Sequence, residues 1–305
     1  MIQSIKNEIK KTLVGKENAI ESMLIAILSE GHVLIEDLPG LGKTTLAKAF
    51  SSVLDCTYRR IQFTPDLMPS DLIGISIFSK EKQEFIFHEG PIFTNVLLAD
   101  EINRTSPKTQ SSLLEAMEES QVTIDGRTIK LDRPFLVIAT ENPIELQGTF
   151  PLPEAQLDRF MMRISLGYPS TDEEVDILTL KEKPEDIKAV VTREALEQAM
   201  KDIEKIYVDP ALKNYIVKLT KATRENSTIK LGASPRASVH LFKGAKAKAY
   251  LEGRDFVIAS DISGLFETVI GHRLILKSEA MHRGIGLKAL LSEIVDSVEV
   301  PKVVR

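Results

Sequence analysis

In the stretch EDLPGLGKTTLAK (36–48), two glycines, a lysine and a threonine fall at fixed spacing just after the apolar run Val33-Leu34-Ile35. Those residue types in that order suit a phosphate-binding loop. Glycines let successive backbone N–H groups curl around phosphate oxygens, a lysine reaches the terminal phosphates, and a following hydroxyl binds magnesium. Gly40, Gly42, Lys43 and Thr44 fill the last part of the pattern, with Pro39, Leu41 and Thr45 completing the expected wall around the nucleotide. A helix beginning there would also turn its positive end toward the phosphates. One position departs from the pattern: Asp37 stands where the first glycine is expected. Aspartate tolerates left-handed backbone angles better than most residues, which would let the turn survive.

A second group of chemical residues closes the run Val96-Leu-Leu-Ala-Asp-Glu101. An apolar strand ending in paired acids would set Asp100 beside magnesium, through water, and Glu101 beside the attacking water. No Asn-Lys-x-Asp motif for reading guanine is present, so ATP is the expected nucleotide. A residue placed to activate water also separates the chain from small-molecule kinases, which must exclude it. Further along, Phe135-Leu-Val-Ile-Ala-Thr-Glu-Asn-Pro143 ends a third buried run in polar Thr140 and Asn142, and Leu157-Asp-Arg-Phe160 places an arginine ahead of a fifth.

These residues need elements to carry them. Val33 to Ile35, Tyr58 to Gln62, Val96 to Ala99, Phe135 to Ala139 and Arg163 to Leu166 are short runs, mostly β-branched or aliphatic. Near-continuous apolar runs suit strands buried on both faces, as in a parallel sheet covered by helices. Ala19 to Ser29, Thr44 to Leu54 and Lys108 to Ser120 carry helical spacing between them. Two pieces break the rhythm: an insert at 64–90 with apolar segments Leu72 to Phe78 and Phe85 to Phe87, and a hairpin at 121–131 turning at Asp125-Gly126. After Gly167-Tyr168-Pro169 the pattern becomes helical, with a capping box from Ser170 and Glu173 and further caps expected at Thr192, Asp209, Ser234 and Ser260. The expected organisation is an α/β domain at 1–169 and a helical domain at 170–305.

Composition narrows the class. The 305 residues are 43% hydrophobic and 27% charged, with a net charge of -5 and both signs mixed along the chain. No basic tail points to nucleic acid. The single cysteine, Cys56, excludes an intramolecular disulfide framework, and His32, His88, His240, His272 and His282 show no metal spacing. The start MIQSIKNEIKKTLVG has alternating charges where a secretory signal needs an apolar core. No run reaches the roughly 20 apolar residues that span a bilayer. A cytoplasmic protein without direct membrane insertion is expected.

Taken together, LPGLGKT (38–44), FTPDLMPSDLIG (63–74), GPIFTNVLLADEINRTSPKTQSSLLEAMEE (90–119), VTIDG (122–126), VIATENPIELQGTFPLPEAQLDRF (137–160) and GASPRA (232–237) resemble the AAA+ ATPases of the MoxR family along essentially the whole chain. The resemblance implies a parallel sheet of order 5-1-4-3-2 with flanking helices, followed by an all-helical lid. It implies that Lys43 and Thr44 are the Walker A lysine and magnesium-binding hydroxyl, and Asp100 and Glu101 the Walker B pair. Asn142 matches sensor 1, Arg236 sensor 2, and Arg159 the arginine finger that acts on a neighbouring subunit, with Arg163 as its rival. Arg104 could face the same boundary or be a surface arginine. Arginine in the first turn of a helix started by Ser234 and Pro235 opposes the helix dipole unless an anion compensates, which supports a phosphate near Arg236. Val14 and Gly15 resemble the segment lining the adenine pocket.

The insert at 64–90 matches the helix-2 insert and 121–132 the pre-sensor-1 hairpin, both expected to project from a ring. The implied cofactors are ATP and Mg2+, and the implied assembly is a homo-oligomer, a hexameric ring. The expected client is a separate protein with a von Willebrand factor type A domain, remodelled, activated or loaded with a cofactor or metal. An ATP-driven chelatase subunit and a DNA-associated AAA+ motor are the alternatives. A bacterial enhancer-dependent activator would need a GAFTGA-like loop in the insert, and none is present.

Overall fold

The computed structural model describes residues 1–144, 148–182 and 185–302. Positions 145–147 of the 137–160 motif and 303–305 of the tail therefore lie outside the described residues. The chain opens with helices α1 (Ile2–Ile9) and α2 (Glu17–Leu28), then β1 (Val33–Glu36), α3 (Lys43–Val53) and β2 (Tyr58–Gln62). A short α4 (Pro69–Ile73) leads into a hairpin of β3 (Gly74–Ser79) and β4 (Glu84–Glu89). Next come β5 (Val96–Asp100), α5 (Pro107–Glu119), a second hairpin of β6 (Gln121–Ile124) and β7 (Arg127–Lys130), β8 (Leu136–Glu141), α6 (Glu154–Leu157) and β9 (Met162–Ile164). From there the chain is helical: α7 (Thr171–Glu182), α8 (Arg193–Glu204), α9 (Pro210–Glu225), α10 (Pro235–Leu251), α11 (Ala259–Ile270), α12 (Ser278–His282) and α13 (Leu287–Ser297). One small antiparallel pair, β10 (Ile229–Leu231) and β11 (Ile275–Leu276), interrupts it.

Among the described residues, five strands form one sheet in the order β2-β5-β8-β1-β9, every neighbouring pair parallel. Counting only those five strands along the chain, this is the expected 5-1-4-3-2 arrangement. Helices cover both faces, so the central strands have no polar side to show: Val96 to Ala99 and Leu136 to Ala139 are fully buried. One core lies on the side of α5 and the hairpins, where Leu97, Val137, Phe63, Leu113 and Phe160 meet. The other holds Val33, Ile35, Leu98, Ile25 and Phe50, and it continues without a break into Leu241, Ile262, Phe266 and Leu291 of α10, α11 and α13. The late helices therefore pack onto the sheet's own core.

Several local expectations are sharpened or corrected. Within the insert at 64–90, the apolar segment from Leu72 is divided between a helix and a strand. Leu72 closes the buried side of α4, and only from Gly74 does the chain extend as strand. The second hairpin turns at Asp125 (φ 51°) and Gly126 (φ 75°), the paired positive angles of a two-residue turn that matches strand twist. Ser170 and Glu173 form the expected reciprocal cap, at 2.7 and 3.3 Å, and Thr192 and Asp209 cap through their side chains. Ser260 does not cap: α11 starts one residue earlier, and Asp261 instead accepts the Ile258 N–H at 2.8 Å. Among the described residues no helix is long and apolar enough to cross a membrane.

Candidate active site

The loop between β1 and α3 opens at the C-terminal edge of the sheet, where all five parallel strands end. Gly40 and Gly42 have φ of 84° and 88°, angles a side chain would resist, and Gly42 ends where α3 begins. A cleft of about 380 Å³ is lined by Pro39, Gly40, Gly42, Lys43, Thr44, Thr45, Arg60, Gln62, Asp100, Glu101 and Asn142. Four separate stretches of sequence thus converge on one cavity. Lys43 is buried, and its Nζ donates to the Asp37 carbonyl at 2.7 Å. Burial holds this ammonium below its ordinary range, against the opposing pull of Asp100, Asp37 and Glu101. Thr44 and Thr45 are exposed at the rim.

Asp100 ends β5 and is buried. Its Oδ1 accepts Thr140 Oγ1 at 2.6 Å, while Oδ2 takes the Arg60 guanidinium at 2.6 and 3.1 Å. Arg60 lies on β2, paired with β5 in parallel register, so sheet order alone brings it there. Glu101 follows with a left-handed backbone, φ 57°. That twist turns its carboxylate away from the strand, where Oε2 accepts Gln62 Nε2 at 2.7 Å and Arg104 Nη1 at 3.1 Å. Arg104 thus pairs with a cleft residue of its own subunit without lining the cleft itself. Asn142 lines the cleft, and its Oδ1 also accepts the Ile144 N–H at 3.2 Å, so it closes a turn as well. Glu141, just before it, is paired in register with Glu36 of β1, and burial with the Glu36 charge pushes its carboxyl up to about 7.

The donor set fits a phosphate chain with a divalent cation. Thr44 and Asp100 offer hard oxygen ligands. Asp100 already attracts one cation, the Arg60 guanidinium, and the open glycines expose N–H groups at the start of α3.

Two of the sequence-predicted arginines stand elsewhere. Arg159 follows α6, and Arg236 occupies the first turn of α10. Both donate to one carboxylate, Arg159 to Glu118 Oε2 and Arg236 to Glu118 Oε1. Neither lines the cleft around Lys43. Within the chain, the anion that offsets Arg236 at the helix start is therefore Glu118, with Asp158 3.9 Å away. Ser234 begins the helix without a side-chain cap bond, its hydroxyl being turned toward Asp158, to which it donates at 2.8 and 2.9 Å. Asp158 in turn holds buried Arg273 at 2.8 Å. Arg163 faces another way and pairs with Glu36 at 2.7 Å, on the strand next to its own.

Val14 and Gly15 line a second cleft of about 360 Å³ with Lys10, Glu17 and, from α7, Glu173, Asp176, Thr179 and Leu180. The left-handed φ of 71° at Gly15 favours glycine, and a Cβ there would have to displace the Glu173 carboxylate, 1.8 Å away. Sequence reasoning missed Arg60, Gln62, Glu118 and the α7 wall. Gln62 and Arg60 could be found only once β2 is placed beside β5.

Asp37 is corrected rather than missed. It lies outside the left-handed region. Its carboxylate reaches the chain after β9, accepting Ser165 Oγ at 3.2 Å and the N–H groups of Leu166 and Gly167.

Comparison with known proteins agrees with this geometry. Residues 32–162 match the profile of the ATPase family associated with various cellular activities (AAA), and residues 221–294 match the AAA lid domain. Bacillus subtilis YeaC is 47% identical over 96% of this chain and 92% of its own length. Chaperone MoxR1 of Mycobacterium tuberculosis is 41% identical over 97% of this chain and 81% of its own. Protein MoxR of Methylorubrum extorquens is 30% identical over 97% and 94%. A crystal structure of a candidate ATPase from Cytophaga hutchinsonii superposes with a TM-score of 0.92 at 40% identity, covering 99% of this chain and 95% of that one. With a P-loop, an acidic pair and a helical lid on one parallel sheet, and near full-length likeness to these proteins, the chain belongs to the MoxR family of AAA+ ATPases.

Proposed function

We propose that this protein hydrolyses ATP to ADP and phosphate at sites completed between subunits of a homo-oligomeric, hexameric ring, and that it spends each turnover on remodelling or activating a partner protein. The observation that carries the reading is the separation of two groups of residues. Lys43, Asp100, Glu101 and Asn142 surround one cleft, while Arg159 and Arg236 lie together outside it on Glu118. A phosphoryl transfer needs positive charge at the terminal phosphate. Arginines that do not reach their own cleft can supply it to a neighbour's.

In this reading the loop Pro39 to Thr45 binds the phosphates, with Lys43 on the terminal ones. Thr44 and, through water, Asp100 would hold magnesium, which when bound neutralises charge across the phosphates. Glu101 takes the proton of the attacking water, and Asn142 orients that water. Gln62 and Arg104 occupy Glu101 in the structure described here, so the carboxylate turns from them as the water arrives. Val14 and Gly15 with α7 receive the adenine. The α/β core is assigned to 1–169 and the lid to 170–305. The client would be a separate protein carrying a von Willebrand factor type A domain, met in the cytoplasm.

The test is ATP turnover per subunit measured from nanomolar to tens of micromolar protein without any partner. A rise to a plateau supports sites built by neighbours. Appreciable turnover that stays flat in a sample held monomeric would sink the shared site.

A further inference from the structure

Asp37 occupies the position that the phosphate-loop pattern gives to glycine, and its side chain is buried. The carboxylate does not face the nucleotide cleft. Oδ2 accepts the N–H groups of Leu166 and of Gly167, the latter at 3.3 Å, and Oδ1 accepts Ser165 Oγ at 3.2 Å. The same two residues are also held through their carbonyls. Lys16 Nζ, also buried, donates to the Leu166 carbonyl at 2.9 Å and the Gly167 carbonyl at 3.2 Å. An anion on the amides and a cation on the carbonyls fix this short segment in place.

That segment is the lead into α7. Gly167 turns the chain with φ 62°, Ser170 starts the cap, and Glu173 of the first turn lies against Gly15. The position of residues 165–167 therefore sets where the α7 wall of the second cleft stands. The main chain of Asp37 makes two more connections. Its carbonyl accepts Lys43 Nζ at 2.7 Å, and its N–H donates to the Glu141 carbonyl at 3.2 Å, beside Asn142.

We propose that Asp37 is a positioning residue that ties the phosphate loop to the lead into α7, so that phosphate in the loop is sensed at the α7 wall. The proposal rests on reading the loop as the nucleotide site. Phosphate oxygens compete with the Asp37 carbonyl for the Lys43 ammonium. A change at that peptide moves a carboxylate only two torsions away. The 165–167 segment, bound through both its amides and its carbonyls, follows. With glycine at 37 the loop could still bind phosphate, but the loop and the segment would move independently.

Amide hydrogen exchange on the full chain, with and without ADP and Mg2+, separates these cases. In the wild type, ADP protects residues 37–45 and changes exchange at 165–170. In Asp37→Gly, ADP still protects 37–45, while 165–170 exchanges about tenfold faster and no longer responds, as expected for losing charge-assisted bonds to two amides. Asp37→Asn keeps an oxygen that accepts both amides, and its NH2 donates to the Ser165 oxygen in place of the bond Ser165 gave, so it restores the response. If Asp37→Gly does not fold, Asp37→Ala carries the same test on an ordinary backbone. A response at 165–170 in the glycine or alanine variant equal to that of the wild type overturns the proposal. So does a wild type in which 37–45 responds and 165–170 does not. If ADP leaves 37–45 unprotected in the wild type, the nucleotide site itself is wrong, and the tie through Asp37 goes with it.

Discussion

Arg159 and Arg236, contributed by separate parts of the chain, meet on the two oxygens of a single carboxylate, that of Glu118. Two guanidiniums and one carboxylate leave an excess of positive charge. Burial and the Arg236 charge hold the Arg159 guanidinium below its ordinary range, so the pair is already under electrostatic load. An incoming polyanion would relieve it better than one half-exposed glutamate does. Glu118 itself comes from α5, the helix that follows the Asp100-Glu101 strand. The arginine pair is thus braced on the helix that follows the strand carrying Asp100.

The first prediction concerns whose nucleotide these arginines serve. Arg159→Ala alone should lose about 10³-fold or more in turnover, the size of effect an arginine finger has in other nucleotide hydrolases. Glu101→Gln alone should also be inactive. Mixed in equal amounts, the two should regain about a quarter of wild-type activity, because a ring interface can pair an intact acid with a neighbour's intact arginine. No recovery in a mixture shown to co-assemble would place Arg159 in its own subunit's site.

Arg60 supplies the second. Its guanidinium occupies the Asp100 oxygen that a hydrated magnesium ion would need. Competition from this half-exposed arginine is worth about 1 kcal/mol, or roughly fivefold in an equilibrium. Arg60→Ala should therefore lower the magnesium concentration needed for half-maximal ADP binding by up to that factor, with nucleotide affinity at saturating magnesium little changed. A higher magnesium requirement would make Arg60 a helper and not a competitor.

How much of this could be read beforehand follows from distance along the chain. Lys43, Thr44 and the paired acids were visible because their chemistry is local: a strand, a turn and a helix start in a few residues. The sheet came from short apolar runs, which only a strand covered on both faces needs. Gln62 and Glu118 gave no such signal. Each is an ordinary polar residue until β2 is set beside β5, or α5 beside the start of α10. Asp37 was seen as a departure but misread as a backbone matter, since its real partners, Leu166 and Gly167, lie at the far end of the sheet's sequence. Ser234 and Ser260 looked like caps by type and position. The Asp158 carboxylate that turns the hydroxyl of the first, and the earlier helix start at the second, decided otherwise.

Glu141 gives a pH prediction. Burial and the Glu36 carboxylate raise its folded pKa from the ordinary 4.5 to about 7. The folded state thus binds this proton more tightly than the unfolded chain does, and the stability it lends below pH 4.5 is lost as pH rises through about 7. Glu141→Gln cannot ionise. By denaturant unfolding it should gain on the wild type by about 2 kcal/mol more at pH 8 than at pH 5. An equal difference at both pH values would mean that Glu141 stays charged throughout.

His32 runs the opposite way. It sits at the head of β1 with Nδ1 accepting the Val137 N–H at 3.0 Å, which leaves Nε2 to carry the proton and donate to the Met117 carbonyl at 3.0 Å. Both ring nitrogens are thereby committed in the neutral form, and a second proton would break the bond that joins β1's entrance to β8. Burial accordingly lowers its folded pKa to about 4. The unfolded chain takes up the proton first, so stability falls as pH drops below 6.5 and keeps falling until about 4. His240, lowered to about 3 by burial and the Arg273 charge, adds in the same direction. His32→Gln should be weaker than the wild type at pH 7, where one backbone group loses an aligned partner. Between pH 7 and pH 5 it should lose about 2 kcal/mol less than the wild type does. Urea midpoints at the two pH values, taken with equal slopes, decide it: parallel losses in both proteins would mean that His32 holds its proton in the folded state.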